Sequence, residues 1–147
     1  MAYQLVDDLR DELLLSKLLR ALESITLDHS STGYGSTSDR HEKVFMAIGE
    51  FLQNPFPGLW DYAMVTHIYH NGVLPPHRDG ALKPGLTRHH LVLQTNPQAW
   101  SYHDGSWQNL FAGGIYVMDP SCLHAAVNFG DRTRIHLVVD CVSLQRG

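Results

Sequence analysis

Near the start of the chain, Leu9, Leu13, Leu14, Leu18, Leu19 and Leu22 recur at a spacing that paints one apolar stripe on a helix. The pattern predicts a helix over Leu5–Ile25, with Asp7 and Asp8 near its start, where the helix dipole favours acids. Asp28–Ser38 is rich in Ser, Thr and Gly and reads as a mobile loop and a candidate lid. A second helix is expected from Ser38, as N-cap, to Leu52, burying Val44, Phe45, Ile48, Phe51 and Leu52. Asn54-Pro55-Phe56-Pro57-Gly58 then stops it.

From Trp60 onward the period shortens. Asp61–His70, Leu86–Gln94, Ala99–His103, Ser106–Leu110, Ile115–Met118, Leu123–Phe129 and Thr133–Val142 read as strands. Asp104-Gly105 is the pair that favours a type I′ hairpin turn. Two helices followed by a run of short strands imply a mainly β fold, a jelly roll (double-stranded β-helix, cupin-like) with helices packed on one sheet. In Arg134-Ile135-His136-Leu137-Val138-Val139, alternation puts Arg134 and His136 on one face and Ile135, Leu137 and Val139 on the other. That polarity suits a barrel whose interior holds a charged ligand and whose outside is covered by the helices.

Length and composition narrow the class. At 147 residues, 44% hydrophobic and 18% charged, the chain is globular and long enough for one domain with a core. Residues 1–147 are expected to form a single domain, 1–58 a helical support region and 59–147 the β core. A net charge of −4, with no Lys/Arg run, argues against a nucleic-acid surface. No apolar run approaches the ~20 residues of a membrane span. Charges at Asp7 and Asp8 interrupt any apolar leader. Cys122 and Cys141 form no C-x-x-C pair and are expected as reduced thiols, so a cytoplasmic protein is expected. The sequence assigns no oligomeric state.

Ten histidines is the unusual count. His77 and Asp79 are two apart, so on an extended segment they point the same way and can chelate one ion. His124, from a different strand, completes a set of two His and one carboxylate, the ligand types of mononuclear non-haem Fe(II) sites; Zn(II) suits the same ligands. H-R-D at 77–79 also matches a protein-kinase catalytic loop, but the chain has no D-F-G and no Gly-rich loop with a following strand Lys. Arg134 shares a face with His136 in an otherwise apolar strand. A buried guanidinium needs an anion, and a bound dicarboxylate would supply one through a bidentate pair. Arg88 and His90 form a second pair on one strand face, with Thr66 on an earlier strand of the same region.

The segment Gly113-Gly114-Ile115-Tyr116-Val117-Met118-Asp119-Pro120-Ser121-Cys122-Leu123-His124, followed by Asn128, Arg134 and Asp140, resembles the G-x5-D-x-S-x2-H region of the aspartyl/asparaginyl β-hydroxylase family of Fe(II)/2-oxoglutarate oxygenases. Arg88-His89-His90-Leu91 resembles that family's R-x-H-L strand. The resemblance covers Thr66–Asp140. It implies Fe(II), 2-oxoglutarate and O2 as cofactor and cosubstrates, with His77 and His124 as iron ligands. Arg134 would grip the far carboxylate of 2-oxoglutarate with help from Thr66, and Arg88 and His90 would contact cosubstrate or substrate carboxylates. Some members have Gly where this chain has Asp79; the acid here predicts a full triad of His77, Asp79 and His124. The implied reaction hydroxylates an amino-acid side chain, aspartyl- or asparaginyl-like, free or in a peptide or protein, and yields succinate and CO2. The Ser31–Ser38 loop and the Trp100/Trp107 hairpin are candidate entrance residues. Two other readings stay open from the residues alone: a cupin-like Zn or Mn isomerase or hydrolase, and a non-catalytic barrel that binds a small acid.

Overall fold

The computed structural model describes residues 2–37, 41–56 and 60–142. Strands β1 (Gln4–Asp8), β2 (Leu27–His29), β3 (Tyr34–Thr37), β4 (Tyr62–Ile68), β6 (Leu86–Gln94), β9 (Gly114–Met118) and β11 (Arg134–Val142) form a seven-stranded sheet in the order β1-β9-β6-β11-β4-β3-β2. Strands β5 (Gly72–His77), β7 (Ala99–His103), β8 (Ser106–Gln108) and β10 (His124–Asn128) form a second sheet in the order β5-β10-β7-β8. Every pairing is antiparallel. This is the double-stranded β-helix that the strand pattern predicts. Helix α1 (Glu12–Leu22) and helix α2 (His41–Ile48), the latter extended by a 3-10 turn over Gly49–Leu52, contribute Leu15, Leu18, Leu22, Val44, Ile48 and Leu52 to the core.

The larger core lies between these helices and the outer face of the seven-stranded sheet. Ile135, Leu137 and Val139 of β11, Leu91 and Leu93 of β6 and Ala63 and Val65 of β4 all join it. Each fully buried Leu in such a layer contributes about 1.5–3 kcal/mol. The opposite face of β11 presents Arg134, His136 and Val138 inward, as alternation requires, and Arg134 and His136 are fully buried there. A smaller cluster joins Tyr3, Val92, Leu110, Tyr116 and Met118, with Phe111 packed against it.

The N-terminal expectation needs correction. Gln4–Asp8 is not helical: it is edge strand β1, paired with β9, and α1 starts only at Glu12, with the Asp11 carboxylate capping Leu14 N–H at 3.1 Å. The apolar stripe is real, but the first turns it would occupy find a better set of backbone partners in β9. Gly113 makes this docking possible. Its φ is +91°, and a Cβ there would sit 2.8 Å from Arg10 N. Leu13, placed on the apolar stripe, and Phe51, read as buried, are both exposed.

The Ser/Gly-rich stretch also differs from expectation. Rather than a free loop, it contributes β2 and β3, which extend the large sheet beyond β4. Strand β5 carries Pro75 and Pro76 and so does not look like a strand. It is tolerated because it lies at a sheet edge, where a missing N–H costs no ladder bond. The predicted hairpin at Asp104-Gly105 is present, both residues having positive φ (+42° and +100°). Ser38, Pro57 and Gly58, read as cap and stop signals, lie outside the described residues.

Candidate functional site

His77 ends β5 and His124 begins β10, and the two are directly paired across the ladder. Their ring centroids lie 4.1 Å apart. Asp79 sits two residues past β5, its backbone N–H donating to Pro120 O at 2.8 Å, which ties it to the turn that leads into His124. That turn is built by Asp119, whose Oδ1 accepts from Ser121 N–H at 2.9 Å and Ser121 Oγ at 2.6 Å. The D-x-S part of the sequence motif is therefore a side-chain-closed turn that aims β10 at β5.

The histidine tautomers follow from backbone contacts. His77 Nδ1 lies 2.8 Å from Pro75 O, and His124 Nδ1 lies 2.8 Å from Cys122 O. A carbonyl only accepts, so Nδ1 carries the hydrogen in both rings and Nε2 faces inward. His124 Nε2 is 3.3 Å from Asp79 Oδ2, and His77 Nε2 is 3.9 Å from Asp79 Oδ1. Burial lowers the pKa of His124, which favours the neutral ring with a bare Nε2. Lone pairs from two imidazoles thus converge on a carboxylate, an arrangement that a cation between them relieves. The three donor atoms lie within 4.8 Å of one another. Donors bound to one ion at about 2.1 Å are separated by roughly 3 Å at a right angle, so small adjustments close the set. The residues present fit a divalent metal.

The same cavity is lined by Tyr3, Tyr34, Met64, Thr66, Leu74, Arg88, His90, Met118, Ala126, Arg134 and Val138. Arg134 is 4% exposed and donates from Nη1 to Thr66 Oγ1 at 3.0 Å. Among the described residues no carboxylate pairs with it. Burial pulls its pKa down to about 10, opposed by the phenols of Tyr3 and Tyr34. His90 and His136 meet at Nδ1–Nδ1, 3.1 Å, one donating and one accepting. Burial, then the charge of Arg134, holds both well below the usual value, so this wall is polar and uncharged. Arg88 is engaged by the protein itself: Nε and Nη2 donate to the two oxygens of Asp140 at 2.8 Å each, and Nη1 reaches Asp79 Oδ2 at 3.3 Å.

All seven residues singled out from the sequence, His77, Asp79, His124, Arg134, Thr66, Arg88 and His90, line this one cavity. Tyr34, from the Ser31–Ser38 stretch, also lines it, and with Tyr62, Met64 and Leu82 borders the space outside His77 and Asp79. A wider groove of about 500 Å³ runs alongside, bounded by Gln4, Lys83, Leu86 and Asp119 and sharing Arg88 and Met118 with the cavity. Trp100 and Trp107 line none of these spaces and are exposed on the far face of the small sheet. Tyr3 and Leu74 had no signal in the sequence, because each belongs to a segment whose pairing is non-local. His89 and His103 are packed inside, while His29 and His70 are surface residues.

Fold and site together define a class: a double-stranded β-helix with a His-Asp-His cluster opposite a buried arginine. The particular family follows from the sequence, whose residues 31–143 match the family model described as aspartyl/asparaginyl beta-hydroxylase. The chain belongs to that family. It is 36% identical over 105 residues to L-proline cis-3-hydroxylase 1 of Streptomyces sp, covering 69% of this chain and 36% of that protein. It is 30% identical over 80 residues to L-proline cis-4-hydroxylase of Rhizobium meliloti (strain 1021), covering 54% of this chain and 29% of that protein. The chain spans about a third of the length of these curated relatives. Among solved structures it superposes on the non-heme alpha ketoglutarate dependent epimerase SnoN from nogalamycin biosynthesis with a TM-score of 0.68, at 12% identity, covering 94% of this chain and 76% of that one. A 2OG-Fe(II) oxygenase family oxidoreductase from Burkholderia pseudomallei gives 0.62 at 11% identity, covering 90% and 79%. These two likenesses are of fold. No helix among the described residues is long and apolar enough to cross a membrane.

Proposed function

We propose that the chain is an Fe(II)/2-oxoglutarate-dependent oxygenase that hydroxylates a small amino acid. One observation carries the reading: Arg134 is a buried guanidinium with no carboxylate partner among the described residues, and it lines the same cavity as a cluster suited to a divalent metal. A cupin-like Zn or Mn isomerase would leave that cation without an anion, and so would leave its burial unexplained. A dicarboxylate that reaches from the metal to Arg134 accounts for both features.

His77, Asp79 and His124 would hold the iron, with the Pro75 and Cys122 carbonyls fixing the two ring orientations. When bound, Fe(II) supplies the chemistry by which O2, 2-oxoglutarate and a substrate C–H become succinate, CO2 and the hydroxylated product. Arg134 and Thr66 would anchor the far carboxylate of the cosubstrate. The neutral His90–His136 pair offers hydrogen bonds beside it without adding a competing charge. Arg88, pinned by Asp140, presents Nη1 toward Asp79 and the mouth, where it would orient Asp79 and meet a substrate carboxylate. Tyr34, Tyr62 and Met64 would exclude water from the reacting carbon and suit an aliphatic substrate.

The names of the two curated relatives favour free L-proline as the first substrate to try, with aspartyl and asparaginyl side chains next. A single domain over 1–147 in a cytoplasmic setting completes the proposal, supported by the two free thiols, Cys122 and Cys141. The test is mass spectrometry of free amino acids and peptides incubated with the protein, Fe(II) and O2. A product heavier by one oxygen, formed only when 2-oxoglutarate is supplied, is expected. Failure of every amino acid and peptide, with no succinate released, would overturn the reading.

A further inference from the structure

We propose that Tyr3 is a further cosubstrate-binding residue, its hydroxyl donating to the far carboxylate of 2-oxoglutarate beside Arg134. The proposal rests on the cosubstrate reading above and assigns a role outside the family-matched residues 31–143.

Tyr3 stands at the head of β1, is 5% exposed and lines the cavity together with Arg134, Thr66 and His90. Its backbone is clamped on both sides by one side chain. Tyr3 N–H donates to Gln108 Oε1 at 2.7 Å, and Gln108 Nε2 donates to Tyr3 O at 3.1 Å. Gln108 ends β8, so the clamp joins the edge of the small sheet to the edge of the large one. The ring packs edge-on against His90, with centroids 5.4 Å apart at 79°, and against His103 at 5.3 Å. Backbone and ring are thus both fixed, in a side chain that lines the cavity.

The Tyr3 hydroxyl has no hydrogen-bond partner among the described residues, although buried hydroxyls are nearly always satisfied. Arg134 shares the condition: beyond the bond to Thr66, its remaining N–H groups find no acceptor among the described residues. Tyr3 and Tyr34 both line the cavity together with Arg134. Burial pushes the Tyr3 phenol up to about 12, so it stays protonated and remains a donor. Two unsatisfied donors, one cationic, in one closed space call for an anion with several lone pairs. A carboxylate offers about four acceptor sites and can take Arg134, Thr66 and Tyr3 together.

The test is a comparison of two ligands in Tyr3→Phe, which removes the oxygen but keeps the ring and the backbone clamp. Calorimetry on the anaerobic Fe(II) protein would measure Kd for 2-oxoglutarate and for 2-oxopentanoate, which carries a methyl group in place of the far carboxylate. Tyr3→Phe is expected to weaken 2-oxoglutarate by about tenfold or more and to leave 2-oxopentanoate unchanged. Gln108→Ala, which loosens the strand without entering the cavity, should reduce the same preference in the same direction. An unchanged preference in Tyr3→Phe, including equal weakening of both ligands, overturns the proposal whatever Gln108→Ala does. If the wild-type protein itself shows no preference for 2-oxoglutarate, the cosubstrate reading fails and the Tyr3 assignment falls with it. A wild-type preference that survives Tyr3→Phe removes only the Tyr3 assignment.

Discussion

Arg88 and Asp140 face each other across the β6–β11 ladder and form a bidentate ion pair, with Nε–Oδ1 and Nη2–Oδ2 both at 2.8 Å. The pair is nearly dry, Asp140 being 3% and Arg88 14% exposed at the side chain. Asp140 thus fixes which edge of the guanidinium remains free, and that edge points at Asp79. Removing one partner of such a pair strands the other. Asp140→Ala is therefore expected to lower stability by about 3 kcal/mol in urea unfolding. A loss of under about 0.5 kcal/mol would mean the pair is solvated and does not position Arg88.

Arg134 makes the opposite prediction for the ligand-free protein. Its charge is desolvated with no anion beside it among the described residues, so Arg134→Met should raise the thermal midpoint of the empty protein. The same variant should lose the added stability that 2-oxoglutarate confers on the wild type. Differential scanning calorimetry with and without 2-oxoglutarate reads both effects. A lower midpoint in the empty variant would indicate that Arg134 already has a partner.

The inner histidines set an acid dependence. His90 and His136 are held well below the usual 6.5, first by burial and then by Arg134, and are neutral in the folded chain. The unfolded chain takes up protons below pH 6.5 that the folded chain refuses. Their contribution is therefore complete above pH 6.5, and stability falls as the pH drops beneath it. A His90→Gln/His136→Gln double variant should show a flatter stability profile between about pH 4 and pH 6.5, measured by urea unfolding across that range. An unchanged slope would place the acid sensitivity elsewhere.

The parts of the fold legible in the sequence are those governed by a local period. Two-residue alternation placed Arg134 and His136 inward and Ile135, Leu137 and Val139 outward, and it put His77 and Asp79 on one side of an extended segment. The Asp104-Gly105 turn was legible because positive φ demands those residue types. Strands β1, β2, β3 and β5 were not. β1, β3 and β5 are stabilised by partners far along the chain and β2 by its hairpin with β3; locally, residues 5–8 read as the start of a helix, while Pro75-Pro76 and the Ser/Gly-rich stretch argue for loop. The His77–Asp79–His124 cluster and Arg134 could be found from motif spacing. Tyr3 could not, because nothing local shows that the β1 segment enters the barrel. The Arg88–Asp140 lock was hidden too, since only register reveals which strands lie side by side.

The most direct test of the central claim, a metal held by His77, Asp79 and His124 with a cosubstrate spanning to Arg134, is an anaerobic titration of the Fe(II)-loaded protein with 2-oxoglutarate. The observable is the weak visible charge-transfer band of a chelated 2-oxo acid. The band is expected to saturate near one equivalent in the wild type, to require far higher 2-oxoglutarate in Arg134→Met, and to vanish in Asp79→Ala and His124→Ala. No band in the wild type, or an undiminished band in Asp79→Ala and His124→Ala, would contradict it.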